Sequence, residues 1–279
     1  MDGGGVALES ILLPGAAALL AYHARELPQR DDLCGAFCGA LALNAAGIGG
    51  TEQDPIDQDA VGIAAGSIVS GARDPDTLPG EETGRRDYRL AIPTIEDSEI
   101  SGTTADGVVA ALRAIGAGAV EVIPWSGPWT SERLDGVFGL AAELREPVTL
   151  IANLATHHLW GGHPAPTQLL DYLLLGKDDG PSPDWDVGHF VCVVARTSGP
   201  GGNLYAVADT YPALGGNGVH LQPRERLALA IDRPDKPAGG LIAVVAASEA
   251  DRLRTGAAEL GLREGLWDNG TATIEQELG

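Results

Sequence analysis

The sequence of 279 residues lacks a long hydrophobic run, an even set of cysteines and a surplus of basic residues. Its N-terminal apolar run, residues 11–22, is too short to span a bilayer. No Lys or Arg precedes this run, so the basic start of a secretory signal is missing. Three cysteines, an odd number, do not form a disulfide framework and favour a reducing compartment. We therefore expect a cytoplasmic protein that does not act at a membrane.

Basic residues are few: 18 Lys and Arg stand against 39 Asp and Glu, for a formal net charge of −21. This balance argues against nucleic acid or an anionic membrane surface as a partner. A cationic peptide is compatible with it, and an acidic surface that only keeps the protein in solution is the simpler alternative. Phosphate-binding loops of the forms GxxxxGK[ST] and GxGxxG and the GxSxG nucleophile elbow are also missing. We expect no cofactor.

The order of the predicted elements indicates an α+β fold. Helices are predicted at residues 105–115, after Thr104 as N-cap, and at residues 131–144. Continuous apolar runs then predict strands at residues 148–154, 188–195, 204–209 and 240–246. Further helices are predicted from Pro14 onwards and at residues 31–47, 60–70, 169–175, 222–230 and 248–259. We expect one domain over residues 1–279, with inserted segments near 49–101 and 155–187 and a tail after the C-terminal helix.

The chemistry of the chain centres on residues 31–47, which read DDLCGAFCGALALNAAG. The apolar positions after Cys34 predict a buried helix that ends at Gly47. A cysteine at a helix N-terminus lies at the positive end of the helix dipole, next to unpaired backbone amides. Both features favour the nucleophilic thiolate. Cys34 is therefore our candidate nucleophile, and the rest of the chain must then supply a base and an oxyanion hole.

His189 and Asp209 are the candidates for the base and for the residue that orients it. His189 begins a predicted strand, and Asp209 ends the next one, twenty residues later. Antiparallel neighbours would bring the carboxylate beside the imidazole, where it fixes the tautomer and stabilises the imidazolium. The alternatives are a structural histidine within the apolar core and an aspartate that only forms the turn before Pro212.

Gln29 is the candidate side chain for an oxyanion hole. It lies five residues before Cys34, and its amide can donate a hydrogen bond together with the backbone N–H of Cys34. The alternative is an exposed glutamine in a loop.

A zinc site is the strongest competing hypothesis for these residues. Cys34, Cys38, His189 and Cys192 have the composition of a Cys₃His ligand set. His189 and Cys192 are three residues apart in a predicted strand, however, so their side chains should point to opposite faces. Cys38 and Cys192 lie in apolar surroundings and resemble small buried hydrophobic residues. We therefore expect no metal ligand here.

A second histidine cluster lies in the segment THHLWGGH, which contains His157, His158 and His163. No cysteine accompanies them, and no acidic residue follows before Asp171, so metal binding is not favoured. We expect a loop that faces the substrate, with His158 and Trp160 as contacts. An ordinary surface loop is the alternative.

Taken together, these motifs resemble the papain-like cysteine peptidases. The similarity is greatest to the peptidases that remove double-glycine leaders from bacteriocin precursors and to their free-standing relatives. Leu33-Cys34-Gly35-Ala36-Phe37-Cys38 matches their nucleophile motif, which opens a helix. Gly188-His189-Phe190-Val191 matches their histidine strand, and Asp209 falls where their acidic residue stands.

The resemblance implies a papain-like α+β fold in which a helical half carries Cys34 and an antiparallel sheet carries His189 and Asp209. It implies Cys34 as nucleophile, His189 as base, Asp209 as orienting residue and Gln29 in the oxyanion hole. The expected activity is hydrolysis of a peptide or a small amide through an acyl-enzyme. An acyl- or aminoacyltransferase of the same fold and a non-catalytic binding module are the alternatives.

Overall fold

The computed structural model describes residues 7–51, 55–72, 78–183 and 185–273. Its helices are α1 (Ala16–Glu26), α2 (Cys34–Ala45), α3 (Gln58–Ala64), α4 (Ala105–Gly116), α5 (Ser131–Ala142), α6 (Pro166–Leu175), α7 (Arg224–Asp232) and α8 (Ala250–Glu259). Its strands are β1 (Glu9–Leu12), β2 (Val69–Ser70), β3 (Thr94–Ile95), β4 (Val120–Ser126), β5 (Val148–Ala155), β6 (Gly188–Ser198), β7 (Asn203–Ala208), β8 (Val219–Pro223), β9 (Gly240–Ala246) and β10 (Arg263–Glu264).

An antiparallel sheet organises the molecule, so the predicted α+β class is confirmed. Its strand order is β10-β4-β9-β5-β6-β7-β8, and β1 pairs with the outer half of β6. Strand β5 is buried at every position. Because successive side chains of a strand point to opposite faces, both faces of the sheet are covered at this strand. The sheet therefore has a core on each side.

Helix α2 is the most deeply buried helix, and this burial explains why its sequence is apolar on all sides. It packs against α1, α3 and α4 and against strands β5 and β6. Its glycines allow close approach: a Cβ on Gly35 would lie 3.0 Å from Val108 of α4 and 3.2 Å from Phe190 of β6. A second group of helices, α5, α7 and α8, packs together, and α7 lies against β5 and β7.

Local patterns in the sequence account for many of the elements. Strands β5, β6, β7 and β9 fall within a few residues of their predicted bounds. The Thr104 hydroxyl caps α4 by accepting a hydrogen bond from the Gly107 amide at 3.0 Å, as predicted. Gly47 has a φ of +80°, which suits the residue just beyond the end of α2.

Helix α1 begins at Ala16, close to the predicted start at Pro14, after Gly15, whose φ is +85° and whose missing side chain leaves room for Pro147. Two other predicted boundaries are wrong. Residues 69 and 70 form β2 instead of ending a helix. Residues 219–223 form β8, an edge strand, so Pro223 costs no ladder hydrogen bond and α7 begins only at Arg224.

The predicted tail is also wrong over its described part. Strand β10 pairs with β4, and Trp267 is buried against Gly240. The Asn269 amide donates to the Thr103 carbonyl at 3.1 Å. The described residues after α8 thus pack against the sheet and against the loop before α4. Residues 274–279 lie outside the described part.

The first inserted segment packs around the approach to Cys34. Asp31 and Arg85 exchange two hydrogen bonds, from the Arg85 amide to the Asp31 carboxylate at 2.7 Å and from the Asp31 amide to the Arg85 carbonyl at 2.8 Å. The Asp32 carboxylate accepts from the Ser70 amide at 2.6 Å.

Within the described ranges, no helix is both long and apolar enough to cross a bilayer.

Candidate active site

Cys34 is the first residue of α2 and is half-buried at the wall of a cleft. No side chain caps this end of the helix. The first amides of a helix have no partner within it, so the N–H groups at Cys34 and Gly35 remain available to an acceptor beside the thiol. The helix end thus offers a nucleophile and backbone donors at one place.

His189 and Asp209 meet because β6 and β7 are antiparallel neighbours. The His189 Nε2 atom lies 2.9 Å from Asp209 Oδ1, and both side chains are almost fully buried. Since Nε2 donates to the carboxylate, Nδ1 is left for Cys34, whose proximity raises the pKa of the imidazole. The structure therefore brings Cys34, His189 and Asp209 together in the expected order.

The electrostatics of this pair favour an imidazolium. Burial alone lowers the pKa of His189, but the charge and hydrogen bond of Asp209 and the contact with Cys34 outweigh it and raise this pKa to about 10. Burial acts on Asp209 in the opposite sense, and the hydrogen bonds and charges of His189 and His220 hold its pKa well below the ordinary value.

Asp209 is supported by further donors that the sequence did not reveal. Its second oxygen, Oδ2, lies 3.1 Å from His220 Nε2, and its Oδ1 accepts from the Thr210 amide at 2.6 Å. On the side facing α1, His23 Nε2 lies 2.6 Å from the Asp209 carbonyl. The contacts with His220 and Thr210 fix the carboxylate and spread its charge over several donors, and the contact with His23 holds the backbone of the same residue.

The tautomer of His220 follows from its neighbours. The Trp160 amide can only donate, so it identifies the atom it meets at 2.7 Å as Gln222 Oε1. Gln222 Nε2 then donates to His220 Nδ1 at 2.9 Å. The imidazole of His220 therefore carries its proton on Nε2 and donates it to Asp209.

Gln29 lines the same cleft as Cys34 and is 4% exposed. Its Nε2 lies 2.9 Å from the Tyr211 hydroxyl, and its Oε1 is buried without a partner among the described residues. Half a turn of the amide lets the Tyr211 hydroxyl donate to Oε1 and leaves Nε2 without a protein acceptor. In that orientation, the side chain has a free donor for an oxyanion.

Two aromatic residues that sequence reasoning missed enclose the imidazole. The ring of Trp185 contacts His189 edge-on, with centroids 4.7 Å apart. The ring of Tyr211 is nearly parallel to it at 6.4 Å. Both residues line the cleft. Their flanking turns showed no periodic pattern from which this role could be recognised.

The cleft has a volume of about 580 Å³ and lies between α2, the start of β6 and the C-terminal segment. The lining includes the acidic residues Asp31, Asp32, Glu99, Asp186 and Asp235 and the basic residues Arg233 and Lys236. A cavity of this size fits a short peptide segment or a small amide.

The predicted substrate contacts do not lie at the cleft surface. Trp160 is 3% exposed and packs edge-on against Tyr172, and its indole N–H donates to Asp178 at 2.6 Å. Neither Trp160 nor His158 is among the cleft-lining residues. Trp160 instead positions Gln222 through its backbone, because the loop turns back under β8.

The histidine cluster gains an acidic neighbour that the sequence separates from it. Asp235 lies 2.8 Å from His157 Nε2 and 3.0 Å from His158 Nε2. Their ligand atoms lie within 4.8 Å of one another, which is compatible with a metal ion. His163 lies apart and contacts the Ala213 carbonyl. In the cluster, Asp235 is already hydrogen-bonded to both His157 and His158.

The Cys₃His zinc arrangement is not assembled among the described residues, whose one metal-compatible group is the histidine–Asp235 cluster. Cys38 and Cys192 are fully buried and contact each other across α2 and β6. Burial and the Cys192 contact raise the pKa of the Cys38 thiol well above its ordinary value. These two cysteines are core residues.

Comparisons with known proteins identify a family but no activity. A family model described as "Family of unknown function (DUF6885)" matches residues 13–268. No curated protein matches the chain. Among solved structures, it is similar to digestive procathepsin L 3 from the larval midgut of Tenebrio molitor, with 15% identity, a TM-score of 0.32 and coverage of 86% of this chain and 70% of that one.

Proposed function

We propose that this chain, which belongs to the DUF6885 family of unknown function, is a cysteine-dependent hydrolase of a peptide or small amide bond. The observation that carries this proposal is the position of Cys34, at the end of an uncapped helix, beside His189, whose Nε2 is hydrogen-bonded to Asp209. A papain-like arrangement of helix and sheet is part of the proposal. We place the protein in the cytoplasm, as its cysteine content predicts.

In the proposed reaction, the Cys34 thiolate attacks the carbonyl carbon, and the carbonyl electron pair moves to oxygen. The amides at the start of α2 and the Gln29 side chain stabilise this oxyanion. The His189 imidazolium then gives its proton to the leaving amine, and an acyl-thioester remains on Cys34. Water, deprotonated by His189, releases the acid and restores the thiol.

The pH dependence of Cys34 alkylation tests the first step. We expect iodoacetamide to label Cys34 selectively at pH 6–7, where an ordinary thiol with a pKa of about 8.5 reacts slowly. Mass spectrometry locates the label. In His189→Ala, the rate at this pH should fall by roughly 10- to 100-fold, because no imidazolium stabilises the thiolate.

The buried Cys38 and Cys192 serve as internal controls in that measurement, since they should react only after unfolding. Equal labelling of the three cysteines, or a Cys34 rate that rises only near pH 8.5, contradicts the proposal. That result favours a non-catalytic binding module with the same fold.

Gln29→Ala tests the oxyanion hole. Removing this donor should lower kcat/KM by roughly 100-fold while Cys34 alkylation stays unchanged, because the developing oxyanion loses a donor whereas His189 and Asp209 keep their contact. Gln168→Ala is the matched control, since this glutamine bonds to Ala165 and Asp179 at the surface. An equal loss of alkylation in Gln29→Ala would indicate a structural role.

A further inference from the structure

Arg233 is a buried cation in the wall of the cleft, and it forms no ion pair with any of the described residues. It is 4% exposed and lies in a left-handed conformation, with φ of +50°, directly after α7. No carboxylate among the described residues forms an ion pair with it, and the Asn153 amide oxygen, at 2.9 Å from Nη1, is its one hydrogen-bond acceptor there. Burying a cation without a partner is costly, so such a residue is seldom kept for stability alone.

The free donors of Arg233 form one edge of the guanidinium group. Nη1 is held by Asn153, and Nε has no partner among the described residues. Nε and Nη2 lie on the same side of the planar group, and this pair of donors matches the two oxygens of a carboxylate. Nη2 lies beside the backbone of Gly188, where a Cβ would come within 3.1 Å of it. The glycine leaves room for this edge.

Neighbouring residues fix the position of Arg233 relative to the candidate catalytic groups. Asn153 Oδ1 accepts from Arg233 and, at 3.0 Å, from Trp267 Nε1. The Asn153 amide nitrogen donates to the His189 carbonyl at 3.3 Å. The guanidinium is therefore linked to the strand that carries the base. Burial lowers the pKa of Arg233, and the nearby charges of Asp235 and Cys34 raise it.

The acidic side chains near Arg233 are already engaged elsewhere. Asp235 bridges His157 and His158. Asp186 lies 2.7 Å from Lys236 Nζ and 2.9 Å from His157 Nδ1. Lys236 thus has its counter-ion, whereas Arg233 forms no ion pair in the described part of the chain, although both line the cleft. An anion that enters the cleft finds one buried cation with free donors.

We infer that the substrate of Cys34 carries a carboxylate close to the bond under attack and that Arg233 binds it within the cleft. This inference rests on the proposed function and names its substrate class. The carboxylate belongs either to the C-terminus of a peptide or to an acidic side chain. Its binding would supply the ion-pair partner that Arg233 lacks among the described residues and would fix the orientation of the substrate.

Matched pairs of alkylating probes test the inference without a known substrate. Iodoacetate and iodoacetamide differ in one charge, as do N-bromoacetylglycine and N-bromoacetylglycinamide, which place that charge farther from the reacting carbon. In each case the Cys34 sulfur displaces halide from the CH₂ group. The quantity measured is the ratio of the acidic to the neutral rate constant, normalised to the same ratio for free cysteine.

In the wild-type protein, this ratio should exceed 1 for at least one pair. Arg233→Gln should lower it roughly tenfold, which corresponds to the loss of one charge-assisted interaction. Arg233→Lys should retain part of it, because a point charge remains but the two-donor edge is lost. Lys236→Gln is the matched control and should leave the ratio within about twofold, since this cation is paired with Asp186.

The neutral probes report separately on the thiol and on folding. If Cys34 shows no activated labelling even by iodoacetamide, the proposed function fails. If iodoacetamide labels an activated Cys34 and the ratio is the same in wild type and Arg233→Gln, the carboxylate site is refuted while the hydrolase remains. Should Arg233→Gln not fold, Arg233→Lys and the wild-type ratio decide, and a wild-type ratio of 1 in both pairs refutes the inference.

Peptide pairs then identify the source of the carboxylate. One pair carries a free or amidated C-terminus, and the other carries an internal Glu or Gln near the cleavage point. A kcat/KM preference for the free C-terminus that disappears in Arg233→Gln assigns the site to terminal carboxylates. A preference for Glu over Gln with the same dependence assigns it to acidic side chains, and no preference in either pair contradicts the inference.

Discussion

Replacing Cys34 with alanine is expected to abolish turnover, with kcat/KM falling by at least about 10⁴-fold while the protein stays folded. The loss should be this large because Cys34 is the one thiol that lines the cleft among the described residues, so the acyl-thioester cannot form without it. Alanine is compatible with the first turn of a helix, and we expect the free energy of unfolding to change by no more than about 1 kcal/mol. Digestion of a peptide library, read by mass spectrometry, checks the activity, and thermal unfolding checks the fold.

Cys192→Ala is the matched control for this variant. It removes the same group from a fully buried position in β6, where the thiol packs against Cys38. It should cost stability, on the order of 1–2 kcal/mol, and leave cleavage intact. Full cleavage by Cys34→Ala, with the same products as wild type, would remove Cys34 from the mechanism.

The same library separates hydrolysis from acyl transfer. An added amine such as glycinamide competes with water for the acyl-thioester, and the resulting amide is heavier than the free acid by the mass of the amine minus one water. A transferase yields mainly the amine adduct, whereas a hydrolase yields mainly the free acid at the same amine concentration. Both outcomes require Cys34, so this experiment decides between the two enzymes only after the alanine variant has lost activity.

Local patterns predicted the parts of the site that lie within single elements. Cys34 at the mouth of an apolar helix is visible from composition, and so is His189 at the start of an apolar strand. Their approach to Asp209 follows from the pairing of consecutive antiparallel strands. These are short-range inferences, since twenty residues separate His189 from Asp209 and one strand pair joins them.

The rest of the site depends on packing between distant segments, which no local pattern encodes. His220 and Gln222 are two residues apart and therefore lie on the same face of β8. This spacing could have indicated that they act together, but Gln222 was assigned to a helix. Arg233 reaches the cleft because it directly follows α7 and itself adopts a left-handed backbone conformation, which is uncommon for a residue other than glycine. Its approach to Asn153 spans eighty positions and becomes apparent only once the sheet is formed.

Replacing Asp209 with asparagine is expected to destabilise the protein by roughly 3 kcal/mol near pH 6, because a buried ion pair loses one partner. Asparagine has the shape of aspartate but only one acceptor oxygen, so it cannot accept from both His189 and His220. Chemical denaturation of wild type and variant measures the difference. Cys34 alkylation at pH 6–7 should also slow, though less than in His189→Ala, because the imidazole is displaced but still present.

The pH dependence of this difference follows from the two pKa shifts. The pKa of His189 is raised from 6.5 to about 10, so its contribution is complete below pH 6.5 and is lost as the pH rises through about 10. The pKa of Asp209 is lowered from 3.8, so its contribution is complete above that value and is lost only in stronger acid. The stability difference between wild type and Asp209→Asn should therefore be largest between about pH 4 and 6.5 and shrink towards pH 10.

Asp135→Asn distinguishes this behaviour from the general cost of removing a carboxylate. Asp135 on α5 accepts hydrogen bonds from Asn203, Tyr205 and Arg224, away from the cleft. Its replacement should lower stability without the decline between pH 6.5 and 10 and without slowing Cys34 alkylation, since none of its partners is a histidine. If Asp209→Asn gives a stability difference that is flat over this range, His189 does not hold a proton against Asp209. The imidazolium required to protonate the leaving amine would then be absent from the resting site.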